Sequence, residues 1–135
     1  MNYTVQIKTS SQAAHLLREH LGDIDHEELW GIFLTGGGYL IDSEMLTKGT
    51  MTCTPIDART VIKRALVNNA AAVIIVHNHP SGNPKPSVND IKQTEHIRKA
   101  CNLMDIALID HIIIGGDAYF SYSDEKTSHF KPSNQ

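Results

Sequence analysis

The segment His77-Asn78-His79-Pro80-Ser81-Gly82 followed by Pro86-Ser87-Val88-Asn89-Asp90 concentrates the residues of this chain that can do chemistry. Side chains at i and i+2 of an extended segment point the same way, so His77 and His79 can grip one ion. Asp90 lies far enough downstream for the intervening loop to fold back and offer an anionic third ligand. Three protein ligands leave a coordination position for water, which separates a catalytic zinc site from a closed structural one. The pattern H-x-H-x7-S-x2-D is therefore that of a metal-dependent hydrolase.

The elements around it read as follows. Ser10 or Ser11 caps a helix running to Leu21 and ended by Gly22, preceded by a short strand or arm over residues 1–9. Leu29 to Leu34 is an apolar run expected to form a strand covered on both faces; Thr35 to Gly38 turns into a strand over Tyr39 to Leu46. Gly49 to Ile56 reads as a third extended segment, and Asp57 caps a helix from Ala58 to about Asn69. A strand over Ala71 to Val76 delivers the histidines at its C-terminal end, and the loop from Pro80 to Pro86 is stiffened by three prolines. A helix from Val88 to about Leu103, a strand from Ile106 to Ile114 and a strand around Ala118 to Tyr122 complete the order. From Ser123 the polar tail is expected to fray. The alternation predicts an α/β or α+β sandwich: a mixed sheet flanked by helices, as one domain over 1–135 with its core at about 10–122. Ligands at the end of a buried strand suit that layout.

The bulk properties exclude several classes. A chain of 135 residues with 41% hydrophobic and 20% charged residues is an ordinary globular domain. A net charge of -3 gives no basis for a nucleic-acid surface. No apolar run reaches bilayer length, and the N-terminus lacks a signal-peptide pattern. Cys53 and Cys101 have no paired spacing, so a disulfide framework or a thiolate zinc site is not indicated, and a reducing, cytoplasmic setting follows. Oligomeric state and substrate identity are not written in the sequence.

Each chemical reading has a plainer competitor. Ser87-x-x-Asp90 is also the shape of a helix-capping interaction, and the two roles are compatible because a capped first turn fixes where the carboxylate points. His111, beside Asp110 in an apolar strand, is either a packed residue paired with Asp110 or a partner that steers a metal ligand. Trp30, Phe33 and Met104 read as core, and Cys101 as a small buried side chain. Two histidines and a carboxylate also serve non-haem iron oxygenases, but those usually stand on all-β scaffolds. Zinc deaminases need a His-x-Glu and a Pro-Cys-x-x-Cys that this chain lacks.

The pattern resembles the JAMM (MPN+, JAB domain) metalloprotease motif, and its surroundings are similar to the bacterial RadC-like proteins. The resemblance rests on His77 to Gly82, Pro86-Ser87, Asp90-Ile91 and Leu108 to Gly115, with Gly49-Thr50 and Ala70 to Ala72 upstream, and covers about residues 10–122. It implies a cytidine-deaminase-like sandwich with Zn2+ held by His77, His79 and Asp90, and a water as fourth ligand. Ser87 would hydrogen-bond that water or the developing oxyanion, and a glutamate near the first core strand would be general base. The family pattern favours Glu27 over Glu28, with Glu44 a third choice; because the following run is apolar throughout, alternation does not separate Glu27 from Glu28. The implied activity is hydrolysis of peptide or isopeptide bonds in a peptide or protein substrate. The alternatives are a metal-binding interaction module and a DNA-repair or DNA-associated accessory protein without peptidase activity. Many RadC proteins carry a further N-terminal helical region related to DNA-binding modules that is not in this sequence.

Overall fold

A computed structural model describes residues 3–51 and 56–131. Helix α1 (Ser10–Leu21) is followed by strands β1 (Glu28–Leu34) and β2 (Leu40–Lys48), helix α2 (Ala58–Val67), strand β3 (Ala72–Asn78), helix α3 (Val88–Leu103), and strands β4 (Ala107–Gly115), β5 (Ala118–Ser121) and β6 (Lys126–His129). The strands form one sheet in the order β2-β1-β3-β4-β5-β6, antiparallel except for the β3–β4 pair. A crossover of helical length must join two parallel neighbours, and α3 with the proline-rich loop supplies it. The fold is mixed α/β, as the element order implies.

Period-two alternation divides the core between the faces. Ala72, Ile74 and Val76 of β3 meet Ala13, Ala14, Leu17 and Leu21 of α1. Val73 and Ile75 point the other way, towards Val61 and Ala65 of α2 and Ile97 and Cys101 of α3. Every residue of β3 is buried, which explains its uninterrupted apolar run. Phe33 of β1, fully buried, fills the α2–α3 side; truncation to alanine should cost about 3–5 kcal/mol.

Some expectations are corrected. The cap of α1 is Thr9, not Ser10 or Ser11: the Thr9 hydroxyl accepts from Gln12 N while the Gln12 side chain accepts from Thr9 N, a reciprocal box that the serines cannot form. Asp57 does cap α2, accepting from Arg59 N at 2.9 Å. Of the extended segment expected over Gly49 to Ile56, residues 49–51 form no strand and residues 52–55 lie outside the described residues. The tail expected to fray supplies β6 instead, because Phe130 buries its ring against Tyr119 and under the Arg18 guanidinium, 4.3 Å from the ring centre. Met104, expected in the core, caps the C-terminus of α3 and is 47% exposed. Among the described residues no helix is long and apolar enough to cross a membrane.

Candidate metal centre

β3 ends in His77 and Asn78, and the alternation that sends Val73 and Ile75 towards α2 and α3 carries His77 to the same face. His79 follows, its N–H donating to Ile114 O at 2.9 Å, so the chain stays tied to β4 just past the strand. The two imidazole Nε2 atoms are 3.1 Å apart. Asp90 reaches the same point from the first turn of α3, with Oδ2 3.2 Å from His79 Nε2 and Oδ1 3.6 Å from His77 Nε2.

The aspartate is fixed by its own helix. Ser87 caps α3: its hydroxyl accepts from Asp90 N at 3.0 Å while Asp90 Oδ2 accepts from Ser87 N at 2.8 Å. The carboxylate that completes the capping box is thus also the one that faces both imidazoles. The Ser87 hydroxyl spends a lone pair in the box, and the same side chain also hydrogen-bonds the Asp90 carboxylate.

The loop between His79 and Ser87 orients the second imidazole. His79 Nδ1 donates to Asn83 O at 2.9 Å, which leaves Nε2 as the lone pair in a neutral ring. Gly115, at the end of β4, lets this loop close: a Cβ there would stand 2.6 Å from Pro84 N and 2.8 Å from Asn83 C. Gly82 takes φ +89°, a turn that favours glycine.

Glu27 joins from β1. One carboxylate oxygen of Glu27 and one nitrogen from each of His77 and His79 lie within 4.8 Å of one another, and Glu27 is buried. Its backbone continues the pairing one step past the ends of β1 and β2, with Glu27 N donating to Thr50 O and Gly49 N donating to Glu27 O. Glu28 faces the other way, onto the α1 side, where it is bonded by His20 Nε2 at 2.8 Å, His26 Nε2 at 2.7 Å and Trp30 Nε1 at 2.9 Å. Glu44 is clamped by Arg64 and by Asn68 at the edge of the sheet. Of the three glutamates considered, Glu27 stands with the histidines.

Electrostatics separates the two imidazoles. Complete burial pushes His77 down to about 4, outweighing the attraction of Asp90, so its ring is neutral near pH 7. Burial also works against charge on His79, but hydrogen bonds to Asp90 and to the Asn83 carbonyl raise it on balance. For Asp90, burial opposes the charge, yet hydrogen bonds from His79 and Ser87 hold it well below the usual carboxylate range. The result is an anion with two imidazoles converging on it, and a cation there would take the place of the proton that His79 Nε2 shares with Asp90.

The spacing can be tested against an ion. Zinc bonded at about 2.0–2.1 Å in a tetrahedron sets its ligand atoms about 3.3–3.4 Å apart. The 3.1 Å between the two Nε2 atoms and the 3.2 Å from His79 Nε2 to Asp90 Oδ2 lie close to that edge, while the 3.6 Å from His77 Nε2 runs to the other oxygen, Oδ1; two imidazoles and a carboxylate are a donor set that such an ion takes. Glu27 approaches the same imidazoles from β1.

His111 is the residue for which sequence patterning offered two roles. Its ring is fully buried, its Nε2 lies 2.7 Å from His77 Nδ1, and it stacks flat on Tyr122 with centres 4.7 Å apart. Asp110 does not engage that ring; it accepts from the His111 backbone N–H, from Ser121 Oγ and from Ser123 N. The cause is a bulge. Val73 pairs with Leu108 and Ile74 with Asp110, leaving Ile109 unmatched and half-exposed. The bulge turns His111 to the site face. Thr94 of α3, not singled out by any motif, closes the group with its hydroxyl 2.5 Å from His111 Nδ1 and 2.7 Å from Asp90 O. Its position four residues after Asp90 on one helix face was the available signal.

The RadC-like JAB domain family matches residues 7–127. The chain belongs to this family. Similar proteins include a UPF0758 protein of Porphyromonas gingivalis, 40% identical over 120 residues, which are 88% of this chain and 53% of that protein. A UPF0758 protein of Pasteurella multocida is 38% identical over 126 residues, 93% of this chain and 56% of the relative. One from Flavobacterium johnsoniae is 37% identical over 120 residues, 89% and 52% of the two chains. The chain thus spans about half the length of the curated relatives it matches. The RadC-like JAB domain is accordingly the part those relatives share with it.

Proposed function

We propose that this RadC-like JAB domain is a zinc-dependent hydrolase of amide bonds, acting on peptide or isopeptide linkages in a peptide or protein substrate, in a cytoplasmic setting. The observation that carries the reading is the convergence of His77, His79 and Asp90, whose facing atoms lie 3.1–3.6 Å apart, with a buried Glu27 beside the imidazoles. His77, His79 and Asp90 would hold the ion, leaving Glu27 as proton carrier. Zinc in such a site acidifies a water from about 15.7 to about 7 and polarises a carbonyl.

The chain's own groups then supply the rest. The Glu27 carboxylate takes the proton that the attacking water loses and returns it to the leaving nitrogen, a role typically worth about 10²–10⁴-fold. The Ser87 hydroxyl would turn its proton to the oxygen on which charge develops, a contribution of about 2.7–4 kcal/mol where such donors have been removed. His79 is kept in one tautomer by Asn83 O, and Asp90 in one orientation by Ser87 N.

Metal analysis of purified protein, followed by assay against peptide and isopeptide-linked substrates, tests the reading. Zinc should be bound stoichiometrically by the wild type and lost in Asp90→Ala, while Glu27→Gln should keep zinc and lose hydrolysis. Protein that binds no zinc, or a Glu27→Gln variant with undiminished turnover, would sink it.

A further inference from the structure

Thr94 and His111 form a chain of hydrogen bonds whose direction can be worked out from proton counting. Asp90 O is a carbonyl and only accepts, so the 2.7 Å contact with Thr94 Oγ1 consumes the single hydroxyl proton of Thr94. The 2.5 Å contact between Thr94 Oγ1 and His111 Nδ1 must then be a donation from the imidazole to the hydroxyl oxygen. A neutral imidazole carries one N–H, so with its proton on Nδ1, His111 presents a lone pair at Nε2. That lone pair lies 2.7 Å from His77 Nδ1, which must in turn donate. His77 is left with its own lone pair on Nε2, the atom facing His79 Nε2 and Asp90.

We infer that Thr94, acting through His111, is a positioning residue that fixes the tautomer of His77 and so selects Nε2 as its ligating nitrogen. The relay begins at Asp90 O and ends at His77, so the backbone of one proposed ligand sets the proton on another. Thr94 is 3% exposed and His111 fully buried, so water does not compete for these bonds, and the flat Tyr122 stack holds the His111 ring in plane. The Nδ1 proton of His79 is held by a separate partner, Asn83 O, so the two imidazoles are oriented independently. The role as ligand selector rests on the metal reading above; the direction of the relay does not.

Long-range proton–nitrogen correlation spectra of the 15N-labelled, metal-free full chain read the tautomers directly. His77 and His111 should both carry their proton on Nδ1. In Thr94→Val the His111 signature should shift or average, and zinc affinity, measured by competition with a chromogenic chelator, should fall about ten- to hundredfold. Thr94→Ser, which keeps the hydroxyl, should restore both. A wild type with the His77 proton on Nε2 overturns the inference, as does a Thr94→Val protein with unchanged tautomers and zinc affinity. The wild-type spectrum decides the direction even if Thr94→Val fails to fold. Correct tautomers in a wild type that takes up no zinc would support the relay's direction and overturn the proposed hydrolase.

Discussion

Leu29 of β1 sits directly opposite His77 of β3 in the antiparallel ladder. Carrying that register two residues outward sets Glu27 opposite His79, whereas Glu28 belongs to the alternate set with Trp30 and Ile32. The two neighbouring acids therefore serve different faces of the sheet. Glu27→Gln should leave the fold and zinc content intact and lower hydrolysis by about 10²–10⁴-fold. Glu28→Gln should retain hydrolysis and lower the thermal midpoint, since Glu28 joins α1, β1 and the preceding loop. Reversal of the two phenotypes would overturn the assignment.

The Glu28 cluster predicts a stability window in pH. Burial works against the Glu28 charge, but bonds from Trp30, His20 and His26 lower its pKa below 4.5; its contribution is present above that value and lost as pH falls through the lowered pKa. Bonds to Asp25 and then Glu28 raise His26 above 6.5, so its contribution is complete below 6.5 and lost as pH rises through the raised pKa. For metal-free protein, the difference in thermal midpoint between wild type and Glu28→Gln should be largest between about pH 4.5 and 6.5 and shrink on both sides. Because Asp25 still partners His26, the alkaline limb should weaken without vanishing. A difference that is flat from pH 3 to 9 would exclude the coupling.

Gly115→Ala should act on the site from a distance. The added methyl meets the backbone of Asn83 and Pro84, which cannot rotate away as a flexible side chain would. Overpacking of this kind costs about 1–3 kcal/mol. Moving Asn83 O also loosens His79, so zinc affinity should drop along with stability, measurable by chelator competition. Full zinc affinity in a destabilised Gly115→Ala would mean that the loop does not orient His79.

Ser87 and Asp90 can be separated by substitution. Ser87→Ala removes the hydroxyl of the capping box and should cost about 0.5–2 kcal/mol of stability while zinc stays bound. Asp90→Ala should remove zinc outright. Denaturant melts with parallel metal analysis distinguish the outcomes; zinc loss in Ser87→Ala equal to that in Asp90→Ala would show that capping alone fixes the site.

Much of this arrangement was legible in the text and some was not, for reasons specific to each residue. That His77, His79 and Asp90 would converge was readable because a strand end, a stiff loop and a helix start are all local signals. Glu27 and Glu28 could not be told apart because the apolar run after them hides the alternation, and only the pairing with β3 supplies the phase. The Asp110–His111 pair misleads for a similar reason: a bulge has no reliable mark in an isoleucine-rich strand. Thr94 looks like any polar helix residue until β4 brings His111 against it. The sixth strand was concealed by polar residues whose order depends on Phe130.

Ile109 has a consequence for how this domain tolerates change. It is a supernumerary residue whose side chain reaches solvent, and its identity should be nearly free. Its presence is not demanded by the ladder either: Asp110 already pairs with Ile74 and His111 with Ile75, so excising Ile109 would join Leu108 to Asp110 in an unbroken pairing and leave His111 on its present face. Keeping the residue and flattening the kink would be the damaging change, because Ile109 would then take Ile74 as partner and Asp110 would turn to the face that His111 now occupies.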